Sequence, residues 1–253
     1  FPSSYSYSLV LPLTSLETLD KLLKRVGRFK PQSIKLKVDN KIEEHIPKLK
    51  LIRSTYGKDC SIRLDINGGW TMDEAMEMIP IYLKNNIRSF EQPLLPKDHE
   101  GMKQLFTAFG KDVIIMPDES LLAYSNAAYF IENKSCNHFN LKISKLGGIS
   151  NAKKIYELAE ASNISCQLGA HFGETSILSA AAILLTGMTG SMSNIEGGLG
   201  TLLLEKDLTA PPVQQDLDCK IYPSNYFNQP GLLPNIDRSI IEKYSTQSKN
   251  WQS

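Results

Sequence analysis

The chain has 253 residues, of which 42% are hydrophobic and 22% are charged, and its formal net charge is +1. This balance gives no electrostatic case for binding nucleic acid or an anionic membrane surface. No apolar run approaches the roughly 20 residues that a membrane-spanning helix needs. The four cysteines lack Cys-x-x-Cys spacing, which favours buried free thiols in a reducing, cytoplasmic compartment over disulfide bonds.

Eight strand-like runs alternate with seven helical runs along the first 200 residues. The strand-like runs are aliphatic or alternate polar with apolar residues, and turn signals bound them. They cover residues 5–11, 33–38, 61–65, 87–91, 113–116, 138–142, 164–168 and 193–196. Apolar residues at helical spacing predict helices over residues 16–26, 42–54, 71–85, 101–109, 121–131, 150–161 and 175–185.

This regular alternation predicts parallel strands that are joined by right-handed crossovers. Eight strands suit a closed barrel better than an open sheet, and α/β barrels often use about 250 residues. After Gly200 the pattern breaks down and prolines become frequent. We therefore predict an α/β fold, a TIM-type barrel modified to (βα)7β, over residues 1–210. Residues 211–253 are predicted to form an irregular tail that packs on the barrel or on a further domain.

The second strand carries two lysines, Lys35 and Lys37, on one face, because residues i and i+2 of a strand point the same way. Interior positions of barrel strands usually hold branched apolar residues. A buried lysine is costly unless it is paired or its pKa falls. The pair therefore predicts carboxylates that face it. Another lysine, Lys142, ends the sixth strand.

Three carboxylates, Asp65, Glu91 and Asp118, stand at the ends of the third, fourth and fifth strands, about one strand-helix unit apart. Each alone is consistent with a helix cap. Together they converge, because the strand ends of a barrel meet at one mouth. Carboxylates this close need a cation, since repulsion would otherwise protonate one of them. Oxygen donors without a nearby His/Cys pair favour Mg²⁺ over Zn²⁺.

Five motifs in this order resemble the barrel domain of the enolase superfamily, and most closely its muconate-lactonising enzyme subgroup. They are KLK (35–37), DINGGW (65–70), FEQPL (90–94), PDES (117–120) and LKISKLGG (141–148). That subgroup also contains dipeptide epimerases, N-acylamino-acid racemases and o-succinylbenzoate synthases. The resemblance extends from about Tyr5 to Asp207.

The resemblance implies a role for each matching residue. The three strand-end carboxylates would bind Mg²⁺, and Lys37 and Lys142 would be acid/base groups on opposite sides of a substrate. Lys35 would hold an oxygen of the substrate carboxylate, and Lys145 is interpreted as a loop residue rather than a base. Residues expected around the metal or the distal part of the substrate are Asn67, Gln92, Glu119, His171 and Glu174.

The resemblance predicts an isomerase that removes a proton α to a substrate carboxylate through an enediolate, which Mg²⁺ would neutralise. Two opposed lysines favour a racemase or epimerase of an amino-acid derivative. With one active lysine, the same chemistry gives a cycloisomerase or a β-elimination lyase, and a non-catalytic metal-binding barrel is a third alternative. The expected partner is a small-molecule carboxylate, with no nucleic acid or membrane, and the family is typically oligomeric.

Two features depart from the family pattern. Its members carry an N-terminal α+β capping domain, whereas this sequence starts at Phe1, close to the first barrel strand, so we interpret it as a fragment. Dipeptide epimerases often carry Asp-x-Asp after the eighth strand. Here that region reads Asn194-Ile195-Glu196-Gly197, which argues against ordinary dipeptide epimerase activity.

Overall fold

A computed structural model describes residues 1–190, 192–227 and 235–245. Its β-strands are β1 (Tyr5–Ser6), β2 (Leu9–Leu11), β3 (Ser33–Lys37), β4 (Ser61–Asp65), β5 (Ser89–Glu91), β6 (Ile114–Met116), β7 (His138–Leu141), β8 (Ser165–Leu168) and β9 (Lys220–Ile221). The α-helices are α1 (Leu16–Val26), α2 (Ile42–Tyr56), α3 (Met72–Lys84), α4 (His99–Phe109), α5 (Tyr124–Glu132), α6 (Ile149–Ala161), α7 (Ser176–Thr189) and α8 (Arg238–Tyr244), with 3-10 turns at Gly200–Leu202 and Pro223–Asn225.

The predicted (βα)7β barrel is closed. Its wall consists of parallel strands and of one segment, at Ile195, that pairs through a β-bridge. Strands β2 to β6 form one parallel sheet in chain order, and β7 pairs with β8. The backbone N–H of Asn137 donates to Ile115 O at 3.4 Å and joins the β6 side to β7. On the other side Leu168 forms a parallel bridge with Ile195, whose carbonyl accepts from Ser8 N at 2.7 Å. The ring of backbone hydrogen bonds is therefore complete.

Three predicted elements differ in detail. The run 5–11 is two strands, and β1 pairs antiparallel with β9 instead of joining the barrel. The eighth strand is a single bridge at Ile195 rather than a ladder over 193–196. Helix α5 begins at Tyr124 instead of 121, because the Asn126 side chain accepts from the N–H groups of residues 122 and 123 and fixes a turn there.

The barrel interior is polar, and the apolar core lies between the strands and the helices. Strand alternation turns the residues at odd positions of β3 and β4 inward. Glu91 accepts hydrogen bonds from three other strands, which places their side chains inside as well. The buried interior residues are Lys35, Arg63, Glu91, His138, Asn140 and Gln167. The outward-facing core residues include Ile34, Leu36, Leu64, Phe90, Ile115 and Phe139.

The tail that follows the barrel packs partly against it. Strand β9 extends β1, and Val213 and Ile221 are buried. The Asp207 carboxylate accepts from the backbone N–H of Ser176 at 3.1 Å and ties the start of the tail to α7. Residues 228–234 and 246–253 of the predicted tail lie outside the described residues, and the boundary at 210 stays a prediction. All four cysteines are free and buried, as predicted. Within the described residues, no helix is long and apolar enough to cross a membrane.

Candidate active site

A cavity of about 270 Å³ opens at the carboxyl ends of the barrel strands. Nine of the eleven predicted site residues line it: Lys35, Lys37, Asp65, Asn67, Asp118, Glu119, Lys142, His171 and Glu174. The other two, Glu91 and Gln92, are fully buried and do not line the cavity. The fold therefore gathers the predicted set at one end of the barrel.

Lys35 is surrounded by carboxylates. Its Nζ lies 2.8 Å from Glu196 Oε2, 3.2 Å from Glu91 Oε1 and 3.4 Å from Asp65 Oδ2. Burial alone would lower the pKa of Lys35, but the three carboxylates outweigh burial and raise it. Lys35 is therefore a fixed positive charge at the floor of the cavity.

Lys37 faces the cavity on the same strand, and its side chain is 35% exposed. Its Nζ donates to Asp65 Oδ2 at 2.8 Å and to Asn67 Oδ1 at 2.6 Å. The Asn67 amide donates in turn to Glu119 Oε1 at 2.8 Å. Asn67 has a φ of 50°, a left-handed conformation that asparagine tolerates better than most residues. This turn aims its carbonyl oxygen at Lys37.

Glu91 lies at the centre of the polar interior. Asn140 Nδ2 donates to its Oε1 at 2.7 Å, and Gln167 Nε2 donates to its Oε2 at 3.1 Å. Burial raises the pKa of Glu91 to about 8; Lys35 opposes that rise, and the charges of neighbouring carboxylates add to it. Burial and the neighbouring carboxylates thus shift Glu91 toward its protonated form.

Asp118 is held by two lysines from the loop that follows β7. Lys142 Nζ lies 2.5 Å from Asp118 Oδ2, and Lys145 Nζ lies 2.6 Å from Oδ1. The two ammonium groups outweigh burial and hold the pKa of Asp118 well below its usual range. Burial works to lower the pKa of Lys142, but Asp118 and Glu91 raise it. Lys145, predicted to be a loop residue, does lie in a loop, but its side chain is only 8% exposed and contacts Asp118.

Lys37 and Lys142 face each other across the barrel. Strands β4, β5 and β6 separate them in one direction, and β8, the Ile195 segment and β2 separate them in the other. Three strands on each side of an eight-position ring place the two lysines on opposite walls. Both line the same cavity.

Gln92 supports the loop that carries Asp118. Its Oε1 accepts from the backbone N–H groups of Asp118 at 2.9 Å and Ser120 at 3.1 Å. Its Nε2 donates to Ser120 Oγ at 2.8 Å. Gln92 was predicted to lie beside the site, and its hydrogen bonds hold the backbone of the loop that carries Asp118.

His171 and Glu174 lie on the wall formed by the loop after β8. Ser144 Oγ is hydrogen-bonded to His171 Nδ1 at 2.7 Å, and the His171 backbone N–H donates to Glu174 Oε1 at 2.8 Å. Burial lowers the pKa of His171 and raises the pKa of Glu174. Both groups are thereby shifted toward their neutral forms at the rim of the cavity.

The donor set fits a hard divalent cation in its chemistry. Asp65 and Glu91 both reach within 3.4 Å of one nitrogen, Lys35 Nζ. Glu119 Oε2 is buried, and no residue of the described structure forms a hydrogen bond with it. Carboxylate oxygens of this kind suit Mg²⁺. No three His, Cys, Asp or Glu side chains of the described residues are arranged as a ready cage, because lysines hold the oxygens that a metal would take.

Sequence reasoning assigned no role to several interior residues that contact the site. Glu196 binds Lys35, and Arg63 Nη2 donates to Glu196 Oε1 at 2.6 Å. Asn140 and Gln167 hold Glu91. The sequence does contain a signal for Arg63, which is its spacing along the strand. Arg63 stands two residues from Asp65 and therefore shares the interior face of β4 with it, just as Lys35 and Lys37 share the interior face of β3.

Comparison with known proteins identifies relatives among isomerases. The hydrophobic dipeptide epimerase of Enterococcus faecalis is 35% identical over 153 residues, which are 60% of this chain and 43% of that protein. The N-succinyl-L-Arg/Lys racemase of Bacillus cereus is 27% identical over 209 residues, 82% of this chain and 54% of that protein. The chloromuconate cycloisomerase of Cupriavidus necator is 29% identical over 202 residues, 80% of this chain and 52% of that protein. The chain thus spans about half the length of these relatives.

Solved structures agree with the fold and the family. The Bacillus cereus racemase superposes with a TM-score of 0.85 at 24% identity, covering 98% of this chain and 64% of that one. The Enterococcus faecalis dipeptide epimerase, crystallised with Mg and L-Leu-L-Tyr, has a TM-score of 0.78 at 26% identity and covers 87% and 61%. The model of the enolase C-terminal domain-like family matches residues 17–238. The chain therefore belongs to the enolase C-terminal domain-like family.

Proposed function

We propose that this chain carries the acid/base site of a Mg²⁺-dependent racemase or epimerase that acts on the carbon next to a carboxylate. The observation that carries the proposal is the placement of Lys37 and Lys142 on opposite walls of one cavity. A carbon bound between them presents one face to each lysine nitrogen, and the reaction needs one lysine as a neutral amine that accepts the proton and the other as an ammonium group that returns one. Removal of the proton by one lysine and return by the other inverts the centre.

The other residues supply charge and orientation. Lys35 is fixed among carboxylates at the cavity floor, where it can hold an oxygen of the substrate carboxylate. Asn67 orients Lys37 through the 2.6 Å hydrogen bond. Lys142 is held by Asp118, so its ammonium must leave that carboxylate before it can act on a substrate. These contacts set the position of both acid/base groups before a substrate binds.

The metal would be bound by Asp65, Glu91 and Asp118, which carry oxygen donors on successive strands. When bound, Mg²⁺ would supply the positive charge that stabilises the enediolate form of a substrate carboxylate. Lys142 would then compete with Mg²⁺ for the Asp118 carboxylate, and the pKa of Lys142 would fall.

Amino-acid derivatives are the substrate class that the relatives favour. Two of the proteins named above are named for hydrophobic dipeptides and for N-succinyl-L-Arg/Lys. In this chain Glu196, which follows the eighth barrel position, binds Lys35 and Arg63. A carboxylate already held by two buried cations is poorly placed to bind a substrate ammonium, which favours an N-acylated amino acid over a free dipeptide.

A cycloisomerase is the second candidate, and the similarity to the chloromuconate cycloisomerase of Cupriavidus necator favours it. That chemistry needs one active lysine, whereas racemisation needs both. Replacing either lysine alone therefore separates the two functions: a cycloisomerase would keep its activity in one of the two variants.

Isotope exchange tests the proposal. The purified protein is incubated in D₂O with Mg²⁺ and N-succinyl-L-lysine, N-succinyl-L-arginine or L-Leu-L-Tyr, and the α position is followed by NMR. We expect deuterium to enter the α position of at least one probe, to stop entering with EDTA, and to resume with added Mg²⁺. Absence of exchange with every probe would contradict the proposal.

A further inference from the structure

Arg63 is a buried guanidinium that neither binds the metal nor lines the cavity. It is 4% exposed and lies on the interior face of β4, two residues before Asp65. A buried arginine is stable only where its donors and its charge are matched. Its Nε has no hydrogen-bond partner within the described residues, so the contacts of Nη1 and Nη2 indicate its role.

Those contacts lead to Glu196. Arg63 Nη2 donates to Glu196 Oε1 at 2.6 Å, and Nη1 donates to Ser8 Oγ at 3.0 Å and to Ser33 Oγ at 3.4 Å. Ser8 lies just before β2 and Ser33 lies on β3, so both hydroxyls approach Nη1 from the same side of β4, whereas Glu196 binds Nη2. Glu196 thus receives its partner in one orientation.

Glu196 carries the contact on to Lys35. Its second oxygen, Oε2, lies 2.8 Å from Lys35 Nζ, which is closer than either Asp65 or Glu91 comes to that nitrogen. Lys35 alone cannot balance three carboxylates. Arg63 supplies the second positive charge, and it does so at the side of Glu196 that is remote from Lys35.

We propose that Arg63 is a positioning residue for the reaction: it fixes Glu196, and through Glu196 it sets the location of the Lys35 ammonium group. The functional part rests on the proposed function, in which Lys35 holds the substrate carboxylate. Arg63 itself does not touch the substrate. The Arg63–Glu196–Lys35 chain links β4, the Ile195 segment and β3, so barrel closure and site geometry depend on the same contacts.

Crystal structures of two variants test the positioning directly. In Arg63→Met, we expect Glu196 Oε2 to move beyond about 3.5 Å from Lys35 Nζ, the limit of a hydrogen bond. In Arg63→Lys, which keeps the charge, the pair should remain in contact. A Glu196–Lys35 pair unchanged in Arg63→Met would overturn the proposal. If Arg63→Met does not fold, Arg63→Gln takes its place, because glutamine removes the charge but keeps a polar side chain. The distance between Glu196 Oε2 and Lys35 Nζ then decides the test in the same way.

Kinetics with an N-succinyl amino acid give a second readout. Because Lys35 would hold the substrate carboxylate, Arg63→Met should raise KM by about tenfold with a smaller change in kcat, and Arg63→Lys should recover most of the loss. Arg53→Met is the matched control, since Arg53 donates to the backbone carbonyls of Lys58 and Cys60 away from the cavity. A wild-type KM in Arg63→Met would also overturn the proposal. If no probe turns over, the proposed function fails, and the crystal structures alone decide the role of Arg63.

Discussion

At the scale of single residues, the site depends on the pairing of buried charges. Lys35, Asp65, Glu91 and Glu196 are almost fully buried, and buried charges persist only when they are paired. The lysines and Arg63 provide that pairing. The same pairing occupies the oxygens that a metal would bind, so metal binding must compete with ammonium groups.

A replacement of Asp118 tests directly whether these carboxylates bind a metal. Replacing Asp118 with Asn removes a proposed metal ligand but keeps the shape of the side chain, so we expect calorimetric Mg²⁺ binding to weaken at least about tenfold, as for loss of a charged ligand. Asp112→Asn, an exposed position before β6, is the control and should bind like the wild type. Equal Mg²⁺ affinity in all three proteins would remove Asp118 from the metal site.

His138 gives a prediction for pH and stability. Burial and then the charge of Arg63 lower its pKa from 6.5 to about 4. The unfolded chain therefore binds more protons between these values, and stability falls as the pH drops from 6.5 toward 4. His138→Gln, which can still bond Ser193 Oγ, should lose less of its unfolding free energy between pH 7 and pH 5, by on the order of 2 kcal/mol. Urea titrations at both pH values measure this, and parallel losses in the two proteins would contradict it.

The placement of candidate site residues was predictable where a motif and a strand end coincide, whereas their roles stay predictions. The spacing of Asp65, Glu91 and Asp118 located them at one mouth, and the structure brings the lysines to them. Glu196 and Arg63 gained no role, because neither stands in a motif and their contact joins residues 133 positions apart. Only strand parity, applied to the whole barrel, would have indicated that Arg63 lies beside Lys35 on the interior face.

At the scale of elements, hydrophobic periodicity predicted the barrel strands and helices well. The predicted ends of elements are wrong where a side-chain hydrogen bond or a pairing partner far along the chain sets the end. β1 leaves the barrel for β9, which is more than 200 residues away in sequence, and no local pattern carries that information. The eighth position is a bridge, because the chain turns at Gly197 and Gly198, both with positive φ.

Helix α3 begins immediately after the turn that carries Asn67, and it has a complete capping box. Thr71 Oγ1 accepts from Glu74 N at 3.3 Å, and Glu74 Oε2 accepts from Thr71 N at 2.8 Å. Thr71→Ala should therefore cost about 1 kcal/mol of unfolding free energy. Thr55→Ala, in the exposed last turn of α2, is the control and should change stability less. Equal unfolding midpoints for Thr71→Ala and the wild type would show that this cap contributes nothing.

At the scale of the whole molecule, the barrel and the tail share a core. Ile221 on β9 is 1% exposed, although it follows the predicted end of the barrel. Ile221→Ala should lower the unfolding free energy by about 2–5 kcal/mol, as for a large buried aliphatic residue. Leu217→Ala, which is 49% exposed in the wild type, is the control and should change it by under about 0.5 kcal/mol. A negligible effect of Ile221→Ala would mean that the barrel does not depend on the tail.

The whole-molecule topology also explains why the sequence leads to the proposed reaction but not to a substrate. The ring order alone puts Lys37 opposite Lys142, and the chemistry of a proton on a carbon between them follows. The distal wall, formed by residues 170–174 and 197–199, has no charge pattern that selects one acyl group or side chain.

Two opposed lysines that act on opposite faces of one carbon would each exchange the proton of one enantiomer, and exchange resolved by enantiomer tests this proposal most directly. Lys37→Ala and Lys142→Ala are each incubated in D₂O with the separate L and D forms of a substrate that the wild type exchanges in both forms. We predict that each variant still exchanges one enantiomer and loses the other, that the two variants retain opposite enantiomers, and that neither racemises. Exposed Lys30→Ala should behave as the wild type. Retention of the same enantiomer by both variants, or racemisation by either, would contradict the account.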